Sequence, residues 1–253
     1  MRTNHLRALK ANGQPIINAW LSVGSSYAAE IVAHQSFDAV TVDRQHGMIG
    51  FETAVAMLQA ISTTRAVPLA RPSKNDGAEI MRLLDAGAYG IICPMISTRA
   101  DAEQLVASCR YPPAGIRSCG PARGLLYGGA DYVANANTEI LTFAMIETAA
   151  GLANIADIVA TPGLDGIYVG PNDLALALGH APIVESNETK VIDAVARIRI
   201  AAAARGLITG IFCSSGAAAA RRRSEGFDLV TPNNDAGLLR DASRDAARTA
   251  RGT

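Results

Sequence analysis

Eight short apolar segments, each followed by a segment of helical composition, constrain the fold of this chain more than any other feature of its sequence. The apolar segments cover residues 16–21, 38–42, 67–70, 89–93, 140–146, 166–169, 207–212 and 227–230. They are apolar at nearly every position, which is typical of parallel strands that are buried on both faces. Eight strand–helix units in 253 residues predict an α/β fold, a single (β/α)8 TIM barrel in which residues 1–253 form one domain.

The segments between the predicted strands are rich in alanine and other good helix formers. Helices are predicted over residues 25–36, 51–62, 76–86, 100–108, 151–160, 188–204, 216–225 and 236–251. A further stretch, residues 111–130, is too long to be a simple connection, and its proline and glycine content predicts a loop without a regular helix. Loops of this length often carry function.

The charges of the chain are balanced, with 23 lysines and arginines against 23 aspartates and glutamates. This balance argues against a nucleic-acid-binding protein, and against a polybasic membrane-binding surface. A local run of three arginines at residues 221–223 is interpreted as the solvated face of a helix. We therefore expect neither nucleic acid nor membrane as a partner.

The four cysteines are Cys93, Cys109, Cys119 and Cys213, and none of them forms a CxxC pair. Their spacing does not suggest a zinc site, and a few unpatterned cysteines suit a reducing cytosol. The first residues contain no apolar run of the kind found in signal peptides, and no apolar stretch approaches the length of a membrane span. We expect a cytoplasmic protein.

Polar residues collect directly after several of the predicted strands. Those that follow the second, third, fifth and sixth strands include Asp43, His46, Arg71, Glu147, Asn172 and Asp173. In a (β/α)8 barrel the carboxyl ends of the strands form one rim, and active sites lie at that rim. Scattered surface charges would not be expected to collect there, so the sequence predicts a polar site at this end of the barrel.

Glu147 and Asp173 follow neighbouring predicted strands. Two carboxylates, with water completing the coordination shell, suit a hard divalent cation such as Mg²⁺ or Mn²⁺. The alternative is that each carboxylate only caps the helix that follows it.

His46 and Arg71 are the other chemically capable residues at this rim. His46, beside Asp43, is a candidate general base, or else a loop histidine with a structural role. Arg71 can hold an oxyanion or a carboxylate, or can form a structural ion pair with Asp43 or Asp85. Both interpretations of Arg71 can hold together.

Lysine chemistry is poorly supported by the sequence. The chain contains only Lys10, Lys74 and Lys190, and only Lys74 lies near a strand end, in a polar segment. A Schiff-base enzyme needs a buried lysine with a lowered pKa. We therefore do not expect an imine mechanism.

Six motifs in order resemble one known family. They read AVTVDRQHG, PLARPSKND, LLDAGAYGIICPMI, GIRSCGPAR, MIETAAGLANI and GIYVGPNDLALALG, and the similarity covers residues 19–235. The chain resembles the HpcH/HpaI aldolases, class II pyruvate aldolases that include 4-hydroxy-2-oxoheptane-1,7-dioate aldolase and 2-dehydro-3-deoxyglucarate aldolase. The resemblance implies cleavage and formation of 4-hydroxy-2-oxo acids, with pyruvate or hydroxypyruvate and an aldehyde as the small molecules, through a metal-stabilised enolate.

The resemblance also implies roles for individual residues. Glu147 and Asp173 match the family's ligands to a divalent metal, which is Mg²⁺, Mn²⁺ or Co²⁺. His46 matches its catalytic histidine, Asp43 the aspartate that steadies that histidine, and Arg71 its pyruvate-binding arginine. The first amides of the following helix, at Asn172 and Asp173, are expected to hold the substrate carboxylate.

Two further matches connect the site to assembly. Asp85 matches an aspartate that serves a neighbouring subunit's histidine, and Arg123 matches a substrate-binding loop arginine. The resemblance implies a homo-hexamer in which the C-terminal helix packs on a neighbouring subunit.

The chain departs from the family pattern at Gln45, where an acidic residue is usual, and less so at Ser118 and Lys74. Two alternatives stay open: a CoA-ester lyase of the citramalyl-CoA or citryl-CoA type or a phosphoenolpyruvate-handling enzyme on the same barrel, and a protein that binds 2-oxo acids without turnover.

Overall fold

Eight parallel strands close into a barrel, and their order around the barrel is their order in the sequence. The structure is a computed structural model that describes residues 1–252. The strands are β1 Ile16–Leu21, β2 Ala39–Asp43, β3 Val67–Arg71, β4 Gly90–Cys93, β5 Leu141–Ile146, β6 Gly166–Val169, β7 Ile208–Cys213 and β8 Leu229–Pro232. β1 pairs with both β2 and β8, which closes the barrel. The predicted (β/α)8 fold is confirmed, and every predicted strand is present with its ends shifted by at most two residues.

Helices surround the barrel. They are α1 His5–Ala11, α2 Ser26–Ala33, α3 Phe51–Ile61, α4 Gly77–Asp85, α5 Arg99–Cys109, α6 Ala122–Gly128, α7 Tyr132–Glu139, α8 Ala149–Ala153, α9 Ile155–Ile158, α10 Pro171–Ala177, α11 Thr189–Ala203, α12 Gly216–Ser224 and α13 Asp235–Arg251. Several begin at a side-chain cap, such as α5, where Thr98 and Asp101 form a capping box. None of the helices within residues 1–252 is both long and apolar enough to cross a membrane.

The prediction that residues 111–130 contain no regular helix is wrong, because α6 lies within that stretch. Its glycines serve packing. A Cβ atom at Gly128 would lie 2.5 Å from a ring carbon of Tyr132, and one at Gly124 would lie 3.1 Å from the same ring. The helix tolerates its glycines because they let it approach Tyr132 closely.

Aspartate side chains hydrogen-bond neighbouring strands to each other at the amino-terminal end of the barrel. Asp38, Asp165 and Asp228 directly precede β2, β6 and β8, and each accepts a hydrogen bond of 2.8–2.9 Å from a backbone N–H of the preceding strand. Asp165 also forms ion pairs with Arg7 at 2.9 Å and Arg110 at 2.8 Å. Asp228 pairs with Lys10 at 2.7 Å. Asp165 and Asp228 thus have both donors and cations in place, as expected of the end of the barrel that serves stability.

The arginine run at residues 221–223 is only partly a solvated face. Arg221 and Arg223 are exposed, but the side chain of Arg222 is only 12% exposed. Arg222 contacts Glu185 at 3.2 Å and Glu225 at 2.9 Å, so it ties α12 to the segment that precedes α11.

The C-terminal helix α13 packs on the barrel through its first turn alone. Asp235 and Gly237 are its buried residues, whereas Leu238 and Leu239 are 44% and 63% exposed. The Asp235 carboxylate accepts hydrogen bonds from the backbone N–H groups of Ser22 and Val23, which fixes the start of the helix against the end of β1.

Candidate active site

A cleft of about 250 Å³ opens at the carboxyl ends of the strands. Its lining residues lie at strand ends or directly after them, and they are Trp20, Ser22, Asp43, His46, Arg71, Met145, Tyr168, Gly170, Pro171, Asn172, Asp173, Phe212 and Asn234. The predicted rim residues Asp43, His46, Arg71 and Asp173 thus share one cleft. This is the end of a (β/α)8 barrel at which catalytic residues are found.

Asp43 and Arg71 form a bidentate ion pair inside the cleft. They are the last residues of β2 and β3 and are partners in the strand register. Arg71 Nε donates to Oδ1 at 2.7 Å and Nη2 donates to Oδ2 at 2.6 Å. Burial raises the pKa of Asp43, but the hydrogen bonds and charge of Arg71 more than offset this, so the pKa lies below its usual value.

Trp20 helps to hold this pair. Its Nε1 donates to Oδ2 of Asp43 at 3.2 Å, and its ring lies 4.8 Å from the Arg71 guanidinium carbon. The guanidinium is therefore held by a carboxylate on one side and an aromatic face on another. Its remaining nitrogen, Nη1, lies 3.9 Å from the sulfur of Met145.

Asp43 also holds the loop that carries His46. Its Oδ1 accepts hydrogen bonds from the backbone N–H groups of Gln45 at 3.0 Å and His46 at 3.3 Å. The His46 side chain is exposed in the cleft and forms no hydrogen bond or ion pair with residues 1–252. Within one chain, Asp43 therefore positions the backbone of the loop and does not contact the imidazole.

Glu147 is a buried carboxylate with few partners. It directly follows β5 and is 2% exposed. Its Oε1 accepts one hydrogen bond, from the backbone N–H of Met95 at 2.8 Å. Burial raises the pKa of Glu147 to about 7, and the nearby charge of Asp173 adds to the rise, while the Met95 N–H and Arg71 oppose it.

Neither Glu147 nor Asp173 caps a helix. The cap of α8 is Thr148, whose hydroxyl accepts from the Gly151 N–H at 2.9 Å. The cap of α10 is Gly170, and no side chain hydrogen-bonds to its first turn. Helix capping, the alternative explanation for these two carboxylates, is therefore not what the structure shows.

The position of the Glu147 carboxylate depends on a glycine. A Cβ atom at Gly170 would lie 2.4 Å from Oε2 of Glu147 and 2.7 Å from the terminal methyl group of Met145. Glu147 is not among the residues that line the cleft, whereas Asp173 is. A buried carboxylate oxygen that accepts no hydrogen bond within residues 1–252, near a second carboxylate, fits a divalent cation that keeps water ligands. No third histidine, cysteine or acidic residue of residues 1–252 joins this pair to make a larger ligand group. Water and substrate would therefore supply the remaining ligands.

Four apolar or aromatic residues of the cleft were not predicted. Trp20, Met145, Tyr168 and Phe212 are each the penultimate residue of their strand. The ring centroids of Trp20 and Tyr168 are 5.4 Å apart, and those of Trp20 and Phe212 are 6.1 Å apart. The alternation of strand side chains would have identified these positions as the last inward-facing layer, had it been applied along with the search for polar strand ends.

Two other residues named from the sequence lie away from this cleft. Asp85 ends α4 and is bound by Arg117 at 2.8 Å. Arg123 lies in α6 and donates to the Ala86 carbonyl oxygen and the Ser62 hydroxyl, both at 2.7 Å. Helices that follow barrel strands run back toward the amino-terminal end, so Asp85 and Arg123 do not reach the cleft of their own chain.

Lys74 is 75% exposed and lies 3.9 Å from Asp76. It is not the buried lysine that an imine mechanism requires, which agrees with the expectation from the sequence.

The comparisons with known proteins agree with this geometry. The profile of the family described as HpcH/HpaI aldolase/citrate lyase matches residues 17–242. The chain is 44% identical over 248 residues to a hydroxypyruvate/pyruvate aldolase of Rhizorhabdus wittichii, covering 98% of this chain and 99% of that protein. It is 35% identical over 248 residues to a 5-keto-4-deoxy-D-glucarate aldolase of Shigella dysenteriae serotype 1, covering 97% and 96%.

A crystal structure of an HpcH/HpaI aldolase/citrate lyase family protein from Burkholderia cenocepacia J2315 superimposes with a TM-score of 0.92 at 33% identity, over 98% of this chain and 100% of that one. Named aldolases therefore share the sequence, and a solved structure of the family shares the fold, over nearly the full chain. The protein belongs to the HpcH/HpaI aldolase/citrate lyase family and is a carbon–carbon lyase of the aldolase type.

Proposed function

We propose that this protein is a divalent-metal-dependent aldolase that cleaves and forms 4-hydroxy-2-oxo acids. Its products of cleavage are pyruvate or hydroxypyruvate and an aldehyde. The observation that carries the proposal is the buried carboxylate of Glu147, whose Oε2 accepts no hydrogen bond from residues 1–252. This carboxylate lies close enough to Asp173 and Arg71 for the charges of both to affect its pKa. Such a set suits a cation and an anionic 2-oxo acid together.

Glu147 and Asp173 would hold Mg²⁺, Mn²⁺ or Co²⁺, and such an ion supplies Lewis-acid polarisation of a 2-oxo acid when it is bound. Two protein carboxylates are the usual number for Mg²⁺, which keeps several waters or substrate oxygens in its shell. The N–H groups of Asn172 and Asp173 in the first turn of α10 have no acceptor in the described chain, so they are available to a substrate carboxylate.

Arg71 stabilises the negative charge that develops on the 2-oxo oxygen as the C3–C4 bond breaks. The ion pair with Asp43 and the ring of Trp20 fix the guanidinium before substrate arrives. A charge that is already oriented needs no reorganisation during the reaction, which is the basis of electrostatic catalysis.

His46 moves the proton of the C4 hydroxyl. Its imidazole is exposed in the cleft and has no partner in the described chain. In cleavage it accepts the proton, directly or through a water molecule, and in condensation it returns the proton to the aldehyde oxygen.

Pyruvate and hydroxypyruvate are supported as the 2-oxo acids by the relative with 44% identity, which is a hydroxypyruvate/pyruvate aldolase. The cleft of about 250 Å³ suits small reactants, and Trp20 and Phe212 give it an aromatic wall.

The proposal extends to a homo-hexamer in which α13 packs on a neighbouring subunit. The exposed Leu238 and Leu239 favour a partner for this helix. Asp85, about a quarter exposed, is available to a neighbouring subunit's His46. A sedimentation mass that matches one 26.3 kDa chain at micromolar concentration would contradict this assembly.

Aldol turnover with and without chelator tests the proposal. Condensation of pyruvate or hydroxypyruvate with a small aldehyde should stop after dialysis against EDTA and return with Mg²⁺, Mn²⁺ or Co²⁺. Full activity in EDTA, together with inactivation by borohydride plus pyruvate, would instead indicate an imine at Lys74. Turnover of a CoA ester alone would favour the CoA-ester lyase, and pyruvate binding without any turnover would favour the non-catalytic alternative.

A further inference from the structure

Met95 has a backbone conformation that its side chain does not explain. Among residues 1–252, three non-glycine residues have positive φ: Ser36 at 62°, Met95 at 60° and Asn233 at 75°. Asparagine tolerates this left-handed region, whereas a bulky unbranched side chain such as methionine is seldom found there. The Met95 side chain is 53% exposed, so side-chain packing does not force the conformation.

The backbone of Met95 has a clear role. Met95 lies two residues beyond the end of β4. β4 pairs with β5, and Glu147 directly follows the end of β5. The N–H of Met95 donates to Glu147 Oε1 at 2.8 Å, and the N–H of Ile96 donates to the carbonyl oxygen of Met145 at 3.2 Å. The left-handed turn therefore presents two consecutive N–H groups to the end of β5.

The same loop is held firmly on its other side. The hydroxyls of Ser97 and Thr148 lie 2.8 Å apart, and Asn154 Nδ2 donates to the Ser97 carbonyl oxygen at 2.9 Å. The Met95 N–H is thus a donor on a loop that is tied to the β5 end at several points. Backbone strain that the surroundings maintain in this way tends to lie at functional sites.

The Met95 N–H is also the single hydrogen-bond donor to the Glu147 carboxylate within the described chain. Because Oε1 is engaged by Met95, Oε2 is the oxygen that lies against Gly170, at the start of the helix that carries Asp173. Loss of the Met95 bond would leave the Glu147 carboxylate free to rotate.

We propose that Met95 is a positioning residue for the metal site, and that it acts through its strained backbone N–H by orienting Glu147 so that Oε2 faces a cation shared with Asp173. This inference rests on the proposed function, since it assigns Glu147 as a metal ligand. It predicts that the backbone conformation at position 95, and not the methionine side chain, determines metal affinity.

Calorimetric titration of the chelator-treated full-length protein with Mn²⁺, without substrate, tests this inference. M95P lacks the N–H and restricts φ to about −65°, so it removes both the donor and the left-handed turn. Loss of a group that orients a metal ligand typically weakens metal binding by ~10–100-fold. M95G keeps the N–H and adopts positive φ freely, so it should bind Mn²⁺ within about threefold of the wild type.

A second pair of variants separates positioning from general stability. M95V keeps the N–H but disfavours positive φ, so it should weaken Mn²⁺ binding by about tenfold. S36V makes the same kind of change at the other end of the barrel, between α2 and β2. It should lower the thermal unfolding temperature of the metal-free protein comparably and leave Mn²⁺ affinity unchanged.

Wild-type affinity in M95P, or in M95V if M95P does not fold, would overturn the assignment of Met95. Equal weakening in S36V and M95V would do the same, because it would make the effect one of stability. A wild-type protein that binds no Mn²⁺ at all would instead reject the metal site of the proposed function.

Discussion

Asp165 and Glu147 are both carboxylates at the ends of neighbouring barrel strands, but they lie at opposite ends and in opposite electrostatic situations. Asp165, before β6, contacts Arg7 at 2.9 Å and Arg110 at 2.8 Å and accepts from the Thr142 N–H at 2.9 Å. Glu147, after β5, is 2% exposed and accepts one N–H, and no cation of residues 1–252 lies within ion-pair distance.

The difference separates structural charge from functional charge. A buried carboxylate without a cation is costly, because desolvation is not offset by attraction. Asp165 has its cations at the amino-terminal end of the barrel, whereas Glu147 has none within residues 1–252 at the carboxyl end, next to the candidate active site. An uncompensated charge beside a cleft marks the place where a positive ligand from outside would be bound most favourably.

The largest expected effect is on activity, at Glu147. E147Q keeps the size and the hydrogen bond to Met95 but removes the negative charge. If this charge binds the metal, aldol turnover should fall on the order of a thousandfold, since a bound cation contributes several kcal/mol of transition-state stabilisation. The metal-free E147Q protein should also be more stable than the metal-free wild type above pH 7. Turnover within tenfold of the wild type would place the catalytic charge elsewhere.

The complementary experiment is at Asp165, where a substitution should lower the free energy of unfolding and leave aldol turnover unchanged. D165A leaves Arg110, whose side chain is 7% exposed, without its carboxylate. Breaking a buried ion pair by removing one partner typically costs ~3–5 kcal/mol. Denaturant unfolding should show this loss, while turnover per folded molecule stays near the wild-type value.

An exposed aspartate supplies the control for that variant. Asp193 in α11 is exposed and forms no ion pair or hydrogen bond in the described chain, so D193A should change stability by no more than ~0.5 kcal/mol. Equal effects of D165A and D193A would show that the contacts of Asp165 contribute little.

Much of this contrast can be predicted from the sequence, because strand ends are visible in it. Asp43, Arg71, Glu147 and Asp173 follow apolar strands directly, and the barrel places such residues at one rim. The atoms that they contact are not visible. Asp43 binds Arg71 because the β2–β3 register sets the two residues side by side. Asp43 also accepts a hydrogen bond from the backbone N–H of His46 and does not contact the imidazole.

Other features depend on packing that no local pattern records. Helix α6 forms despite its glycines because Tyr132 lies against them. Asp85 and Arg123 belong to helices that carry them away from their own cleft. The role proposed for Met95 resides in its N–H, which every residue except proline has, so its identity in the sequence carries no signal.

The pH dependence of the metal-free protein should sharpen the comparison further. Burial raises the pKa of Glu147 from its ordinary 4.5 to about 7, so the folded state binds a proton more tightly than the unfolded state does. Stability therefore falls as pH rises from about 4.5 to 7 and is flat with respect to this group outside that window. The full loss is on the order of 3 kcal/mol, at about 1.4 kcal/mol for each tenfold change in proton affinity.

A divalent cation should reverse that loss. Mg²⁺ should raise the thermal unfolding temperature much more at pH 8 than at pH 5, because at low pH it must displace the Glu147 proton. E147Q should show neither the pH-dependent loss nor the pH-dependent rescue. A wild-type protein that Mg²⁺ stabilises equally at both values would show that Glu147 is not the titrating ligand.

Arg71 offers a way to create a second under-satisfied carboxylate at the same rim. Asp43 resembles Asp165 in having its cation, and R71A would leave it buried without one. Burial would then raise the pKa of Asp43, and the contribution of its ion pair to stability would be lost at every pH at which the carboxylate is ionised in the wild type. In the proposed mechanism R71A also removes the charge that faces the developing oxyanion, a loss that typically costs ~3 kcal/mol of barrier, or about a hundredfold in rate.

Exchange of the methyl protons of pyruvate in D₂O, followed by NMR, separates this role from that of His46. In the proposed mechanism both aldol cleavage and proton exchange pass through an enolate that Arg71 stabilises, so R71A should lose both reactions by roughly a hundredfold. H46A should lose mainly the aldol steps, because the role proposed for His46 is at the C4 hydroxyl, which pyruvate does not have. An R71A protein that exchanges protons at the wild-type rate would show that another group stabilises the oxyanion. An equal collapse of both reactions in H46A would make His46 the base that removes the C3 proton as well, and would assign both proton transfers to one imidazole.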